Sequence, residues 1–128
     1  MEQLALLITS FLFGGMLLFA AGFGRIVLKN LEGNVARVFI RNTFPHFYIF
    51  VLVISFLAAV TVFAFAPFAS MALLAIFFST IPARQILMPA INAAADKGDR
   101  KKFKLLHALS VAITLAHIVI AGVVLCVL

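Results

Sequence analysis

Residues 43–83 read TFPHFYIFVLVISFLAAVTVFAFAPFASMALLAIFFSTIPA and contain no Asp, Glu, Lys or Arg. A helix rises about 1.5 Å per residue and a bilayer core is about 30 Å thick, so the stretch is about twice as long as one crossing needs. Pro67, near its middle, disfavours helical geometry at the residue before it. The stretch therefore predicts two membrane-spanning helices that fold back at Pro67.

Two further uncharged stretches flank this region, from Leu4 to Gly24 and from Leu105 to Leu128. Each is long enough for one crossing. Of the 128 residues, 66% are hydrophobic and 11% are charged, which is too little charge to cover a water-soluble surface. We predict an all-α fold, a single integral membrane four-helix bundle over residues 1–128. Its helices are expected at about 4–28, 44–66, 68–88 and 103–127, and Glu2 favours retention of the first helix over cleavage as a signal peptide.

All basic residues lie in residues 25–41 or 84–104, the two regions in which helix 1 is joined to helix 2 and helix 3 to helix 4. Four crossings place both segments on one side, and the positive-inside rule makes that side cytoplasmic, with both termini outside. We therefore expect a multi-pass protein of the bacterial inner (cytoplasmic) membrane. This topology and attraction to anionic lipid headgroups account for the net charge of +6, so no nucleic-acid partner is expected.

Small residues in the first helix predict close helix packing. Lipid provides no hydrophobic force between helices, so close backbone approach at small residues supplies much of their cohesion. The residues concerned are Ser10, Gly14, Gly15, Gly22 and Gly24. Besides the lipid bilayer, we expect other membrane protein subunits or a second copy of the chain as partners.

Two segments of the second half carry a family resemblance: Arg84–Asn92, RQILMPAIN, and Phe103–Val111, FKLLHALSV. In the first half, Gly14-Gly15-Met16 and Phe44-Pro45 followed by Tyr48 agree with it. The sequence resembles the transmembrane protein 205-like family, also described as domain of unknown function 4149. The resemblance covers nearly the whole chain and departs at Thr114, where the family would have Asn. It implies a compact four-helix inner-membrane protein with no established reaction.

The fourth helix carries one polar stripe, formed by His107, Ser110, Thr114 and His117. At 100° per residue these side chains fall within an arc of about 80°. Polar groups in hydrocarbon need partners, so we expect the stripe to face protein. Interhelical hydrogen bonding explains the stripe without a dedicated function, and a small permeation pathway along this helix is the alternative.

Two histidines are expected at matching depth, His46 at the start of the second helix and His107 at the start of the fourth. Histidines on facing helices can ligate a haem iron axially or share a metal, so a haem site using this pair is one prediction. His117 lies about 15 Å further along its helix, so the three cannot bind one ion. No Cys, Asp or Glu is near enough to complete a zinc set, and no zinc site is predicted.

A group of polar residues is expected at the cytoplasmic edge: Arg25, Arg41, Arg84, Asn92 and Lys104. The basic ones form an anion pocket or extend to the headgroup layer on their long side chains.

No predicted span contains Asp or Glu, whereas proton-coupled exporters depend on a membrane carboxylate. The sequence also has no glycine-rich phosphate loop, paired carboxylates or nucleophile beside a base. We predict a protein without catalytic activity, a scaffold or accessory subunit of a membrane assembly. The haem- or metal-binding protein and the permeation pathway are the alternatives.

Overall fold

The computed structural model describes every residue from Met1 to Leu128 and contains helices but no strand. Four helices follow one another along the chain: α1 Glu2–Asn30, α2 Gly33–Phe63, α3 Pro67–Asp96 and α4 Arg100–Val127. Each is long and apolar enough to cross a bilayer. The predicted all-α fold with four membrane-spanning helices is confirmed, and the chain is a multi-pass membrane protein.

The four helices form an antiparallel bundle, because only a few residues link each helix to the next. Helix α2 packs against α1 and α3, and α4 packs against α3 and α1. We call the end that holds the links 31–32 and 97–99 the basic end. The opposite end, with the link 64–66 and both termini, is the hairpin end.

The turn at the hairpin end is built around Pro67, the first residue of α3. Proline suits this position, since the N–H that it lacks would have no partner within the helix. Ala66 before it has φ −144° and ψ 73°, which breaks the helical path. The buried Ser70 hydroxyl then donates to the Ala59 carbonyl at 2.8 Å, so a side chain of α3 ties the turn back to α2.

The helices extend further at the basic end than the uncharged stretches alone suggest. Helix α2 begins at Gly33 rather than near 44, and α3 runs to Asp96 rather than near 88. With 28 to 31 residues each, the helices are about 42–47 Å long, against a core of about 30 Å. Charged residues end the hydrophobic block but do not end a helix that continues into water.

Gly98 and Asp99 determine the turn between α3 and α4. Gly98 adopts φ 69°, the left-handed conformation that glycine tolerates best. Asp99 then caps α4, and its carboxylate accepts a hydrogen bond from the Lys102 backbone N–H at 3.1 Å. A tight turn followed by a capped helix start directs α4 back through the bundle.

Three of the four helices depart from regular α-helical hydrogen bonding at a common level. Helix α1 contains a π-helical segment at Leu18–Phe23, and α3 contains one at Ala83–Leu87. Helix α2 carries Pro45 in its interior, which has no N–H to donate. All three features lie about 10–20 Å from the basic end. The chain is helical from Pro82 to Pro89 despite the two prolines, and the π-helical turn at Ala83–Leu87 lies between them.

The core of the bundle is apolar and its outer surface is apolar too. Leu12, Met16, Leu73 and Ile76 are fully buried between the helices. Large hydrophobic side chains are exposed along all four helices, and Phe68 at the hairpin end is 85% exposed. An exposed apolar surface of this extent fits contact with lipid acyl chains.

Two adjacent glycines of α1 differ in what surrounds them. A Cβ added to Gly15 would lie 2.5 Å from the ring of Phe50 in α2, whereas one added to Gly14 would meet nothing within 4 Å. Gly15 therefore leaves room for the Phe50 ring of α2 against the backbone of α1, and Gly14 faces away from the chain's own helices.

This difference makes a testable pair of substitutions. Gly15→Ala should lower the free energy of unfolding by about 1–3 kcal/mol, because the Phe50 ring must shift. Gly14→Ala should leave it unchanged or raise it by up to about 1 kcal/mol, since alanine favours the helix. Thermal unfolding in detergent, followed by circular dichroism, measures both. Equal effects at the two positions would contradict the assignment.

Candidate functional site

The polar stripe of α4 is divided between the interior and the surface of the bundle. Ser110 and His117 are buried, Thr114 is half-buried and His107 is exposed. Counted from Val127, His107 lies about 30 Å along α4, where a bilayer core ends and water can solvate an imidazole. The inner part of the stripe is the part that contacts other helices.

Ser110 connects α4 to α2. Its Oγ lies 3.2 Å from the hydroxyl of Tyr48, and both side chains are buried. Either hydroxyl can donate. Thr114 contributes locally, since its hydroxyl donates to the Ser110 carbonyl one turn earlier at 3.1 Å. The only tyrosine of the chain thus has a partner inside the bundle.

His117 connects α4 to α3. Its Nε2 lies 2.7 Å from the Ser79 Oγ, and its side chain is only 6% exposed. Ser79 also donates to the Ala75 carbonyl at 2.7 Å. A hydroxyl has one proton, so with that proton on the Ala75 carbonyl, the Nε2–H of His117 donates to Ser79. The two buried polar groups of the stripe therefore both have interhelical partners. The expectation that no nucleophile lies beside a base is wrong as geometry, because Ser79 and His117 place a hydroxyl against an imidazole, a pairing across two helices that sequence spacing does not reveal.

The two histidines considered for haem are both exposed, His46 on α2 and His107 on α4. The His107 ring stacks on Phe103 of its own helix, with ring centroids 5.7 Å apart. No hydrogen bond or ring contact joins His46 to His107. No three His, Cys, Asp or Glu side chains lie close enough together to hold a metal ion. Haem ligation by the histidine pair stays a prediction.

One ion pair joins α2 to α3 at the basic end. The Arg41 guanidinium donates to the Asp96 carboxylate at 2.9 Å and to the Asn92 carbonyl at 3.2 Å. Asn92 contributes its backbone here rather than its side chain. Of the predicted edge residues, Arg25 and Lys104 are exposed and make no ion pair.

Arg84 differs from the other basic residues. It is half-buried, and its Nε donates to the Pro45 carbonyl of α2 at 3.4 Å. Its Nη1 donates to the Gln85 side-chain oxygen at 3.2 Å. No carboxylate lies within ion-pair distance, because Arg41 and Asp96 form the sole salt bridge. Arg84 is thus the half-buried cation that the protein does not neutralise.

Aromatic rings fill the space between α1 and α2 at the level of the π-helical segments. Phe19 of α1 stacks on Phe47 of α2, with centroids 4.2 Å apart and planes 7° apart. Phe19 also meets Phe44 edge to face and stacks on Phe23. This cluster lies beside Tyr48, whose ring contacts Phe47. It packs the helices where their backbones are least regular.

The small residues of α1 fall into two groups. Gly15 faces Phe50, while a Cβ at Gly22 would contact only Leu18 of the same helix. Ser10 and Gly14 are exposed, and a Cβ at Gly14 or Gly24 would meet open space. Of these small residues, only Gly15 lies against a side chain of another helix of the chain, the Phe50 ring of α2.

The sequence does not predict three of the side-chain partners found in the structure. Tyr48 carries part of the family resemblance, and Ser79 belongs to a series of small residues on α3 that predicts helix packing. Neither pattern predicts that the side chain pairs with a stripe residue. Asp96, near the charged link between α3 and α4, forms an ion pair with Arg41 that its position in the sequence does not predict. A lone tyrosine in an apolar helix indicates that its hydroxyl has a buried partner. The partner of a serine depends on how its helix is rotated, which the sequence does not reveal.

Among models of known protein families, the one described as domain of unknown function 4149 matches residues 7–100 of the chain. The match confirms the resemblance to that family. It includes the Gly14-Gly15-Met16, Phe44-Pro45 and Arg84–Asn92 segments and ends before Phe103–Val111. No curated protein and no solved structure matches the chain.

The hydrogen bond between Ser79 and His117 should be measurable. Ser79→Ala should lower the free energy of unfolding by about 0.6–2 kcal/mol, because a buried imidazole loses its partner. Ser10→Ala, which removes an exposed hydroxyl, is the matched control and should change nothing. In a double-mutant cycle with His117→Leu, the two losses should not add. Additive losses would show that the pair contributes no interaction.

Proposed function

We propose that this chain, which belongs to the family described as domain of unknown function 4149, is a scaffold or accessory subunit of a membrane assembly. It has no catalytic activity of its own in this proposal. Its task is to pack against a transmembrane helix of another subunit. The surface that carries the proposal lies on α1 and α4, which are neighbours in the bundle.

Small residues face outward on both helices. On α1 these are Ser10 and Gly14, and on α4 they are Ala108, Ala112 and Ala116, which follow one another at intervals of four. Residues four apart lie on one helix face, and small side chains there let a second helix approach closely. Because the chain's own helices leave this surface open, it supports packing by a partner helix.

The interior of the bundle supports a non-catalytic role. All but one of its buried polar side chains bind another side chain or the backbone, as Ser110 with Tyr48, His117 with Ser79 and Ser70 with the Ala59 carbonyl do. The Thr9 hydroxyl is the one without a partner in the chain. A reaction needs a nucleophile, acid or base that is free to meet substrate. Hydrogen bonds that join helices use these groups for cohesion instead.

For orientation, we propose that the basic end lies in the cytoplasm and that both termini lie outside, in a bacterial inner membrane. The excess of Lys and Arg at one end supports this orientation. In a Cys126→Ser background, Ala64→Cys should react with a membrane-impermeant maleimide in whole cells. Lys97→Cys should react only after lysis. The reverse pattern would overturn the orientation.

The packing surface can be tested with one bulky substitution. Gly14→Leu should reduce copurification or crosslinking of partner subunits at least severalfold, since a leucine would hold the partner helix away. Gly33→Leu is a matched control, because a Cβ there also meets open space, but it lies at the basic end. The measurement is mass spectrometry of chains copurified in mild detergent.

Two results would count against the accessory role. One is a wild-type protein that purifies as a lone monomer with no crosslinked partner. The other is an equal loss of partner from the Gly14→Leu and Gly33→Leu variants, which would assign the loss to general damage rather than to the α1 surface.

A further inference from the structure

Arg84 lies deeper in the bundle than the other basic residues. Counted from the link 64–66, it is about 27 Å along α3, whereas Arg41 is about 35 Å along α2. The link contains the exposed Phe65, and the exposed Phe68 follows it, so the link belongs at the membrane boundary rather than in water. With a core of about 30 Å, Arg84 falls at or just inside the opposite boundary.

The Arg84 side chain does not extend toward the basic end. Its guanidinium reaches sideways to the Pro45 carbonyl, which lies at about the same depth, about 29 Å from the link 64–66. The Arg84 side chain therefore does not extend to the water layer, as long basic side chains near a membrane boundary often do. Arg41, by contrast, lies beyond the boundary and is neutralised by Asp96.

The Arg84 guanidinium has more N–H donors than it has partners in the protein. Arginine has five N–H groups, and here two bind the Pro45 carbonyl and the Gln85 side chain. The other three have no partner in the protein, and no carboxylate balances the charge. An uncompensated cation at the edge of hydrocarbon is costly, so an anion that accepts these donors would be stabilised.

The surface beside Arg84 faces lipid rather than another helix. Residues three apart share a helix face, and Ile81, three residues before Arg84, is 40% exposed. Gln85, whose side chain accepts from the guanidinium, is exposed too. An anion bound there would therefore adjoin acyl chains. A lipid headgroup meets this requirement, because its phosphate lies at the boundary and its acyl chains cover the apolar surface.

We propose that Arg84 is a binding site for the phosphate of an anionic phospholipid in the leaflet at the basic end. The planar guanidinium suits a phosphate, since its parallel N–H groups can bind two oxygens at once. The many exposed lysines and arginines at the same end favour a lipid of net negative charge over a zwitterionic one. This site is independent of the helix-packing surface proposed for α1 and α4.

The experiment uses the full chain in mild detergent, with phosphatidylglycerol or phosphatidylcholine added and bound lipid counted by native mass spectrometry. Wild type should retain one phosphatidylglycerol and much less phosphatidylcholine. Arg84→Gln should bind phosphatidylglycerol about tenfold more weakly, the factor expected when a charged hydrogen bond is lost. Arg37→Gln removes the same charge from an exposed site without protein partners and should stay within about twofold of wild type.

Arg84→Lys keeps the charge but not the fork of N–H groups, and should bind the lipid severalfold more weakly than wild type. It decides the question if Arg84→Gln fails to fold. Unchanged lipid binding in both Arg84 variants, or an equal loss in Arg37→Gln, would overturn the site. Displacement of the lipid by inorganic phosphate would show a site for free anions and overturn the assignment to lipid.

Discussion

The absence of water in the hydrocarbon core is the constraint on which this structure depends. Each backbone N–H and carbonyl there must bind within the protein, and so must each polar side chain. The helices meet most of the first requirement, and the chain stays helical through the two π-helical segments and past Pro45, which has no N–H to donate. Contacts between helices meet the second requirement for most buried polar side chains, as in Ser70 with Ala59, Tyr48 with Ser110 and Ser79 with His117. The buried Thr9 hydroxyl is the exception and has no partner in the chain.

The same constraint explains what the sequence could predict. An uncharged stretch of membrane length can only become a helix, so the four crossings follow from hydropathy and the turn follows from Pro67. The ends at Gly33 and Asp96 do not follow, because water satisfies charged side chains and a helix can continue there. Periodicity placed four polar residues on one side of α4, but helix rotation decides that His117 is buried while His107 is exposed.

Neighbouring positions in this bundle have very different surroundings. Gly14 and Gly15 are adjacent, yet one faces open space and the other lies against Phe50. Arg41 and Arg84 both lie near the basic end, yet one has a carboxylate and the other does not. The sequence presents each pair as equivalent, and only the packing of four helices separates them. Proposals about partners and lipids therefore rest on the residues that the chain itself leaves open.

The two π-helical segments and Pro45 lie at one depth in the bundle, between the portion within the lipid and the portion that projects at the basic end. Widened turns and prolines are the points at which long helices bend. One such point lies in each of α1, α2 and α3 near the membrane boundary, while α4 passes the same depth as a regular helix. At this level the bundle therefore combines three helices whose hydrogen bonding tolerates a change of direction with one, α4, whose hydrogen bonding is regular.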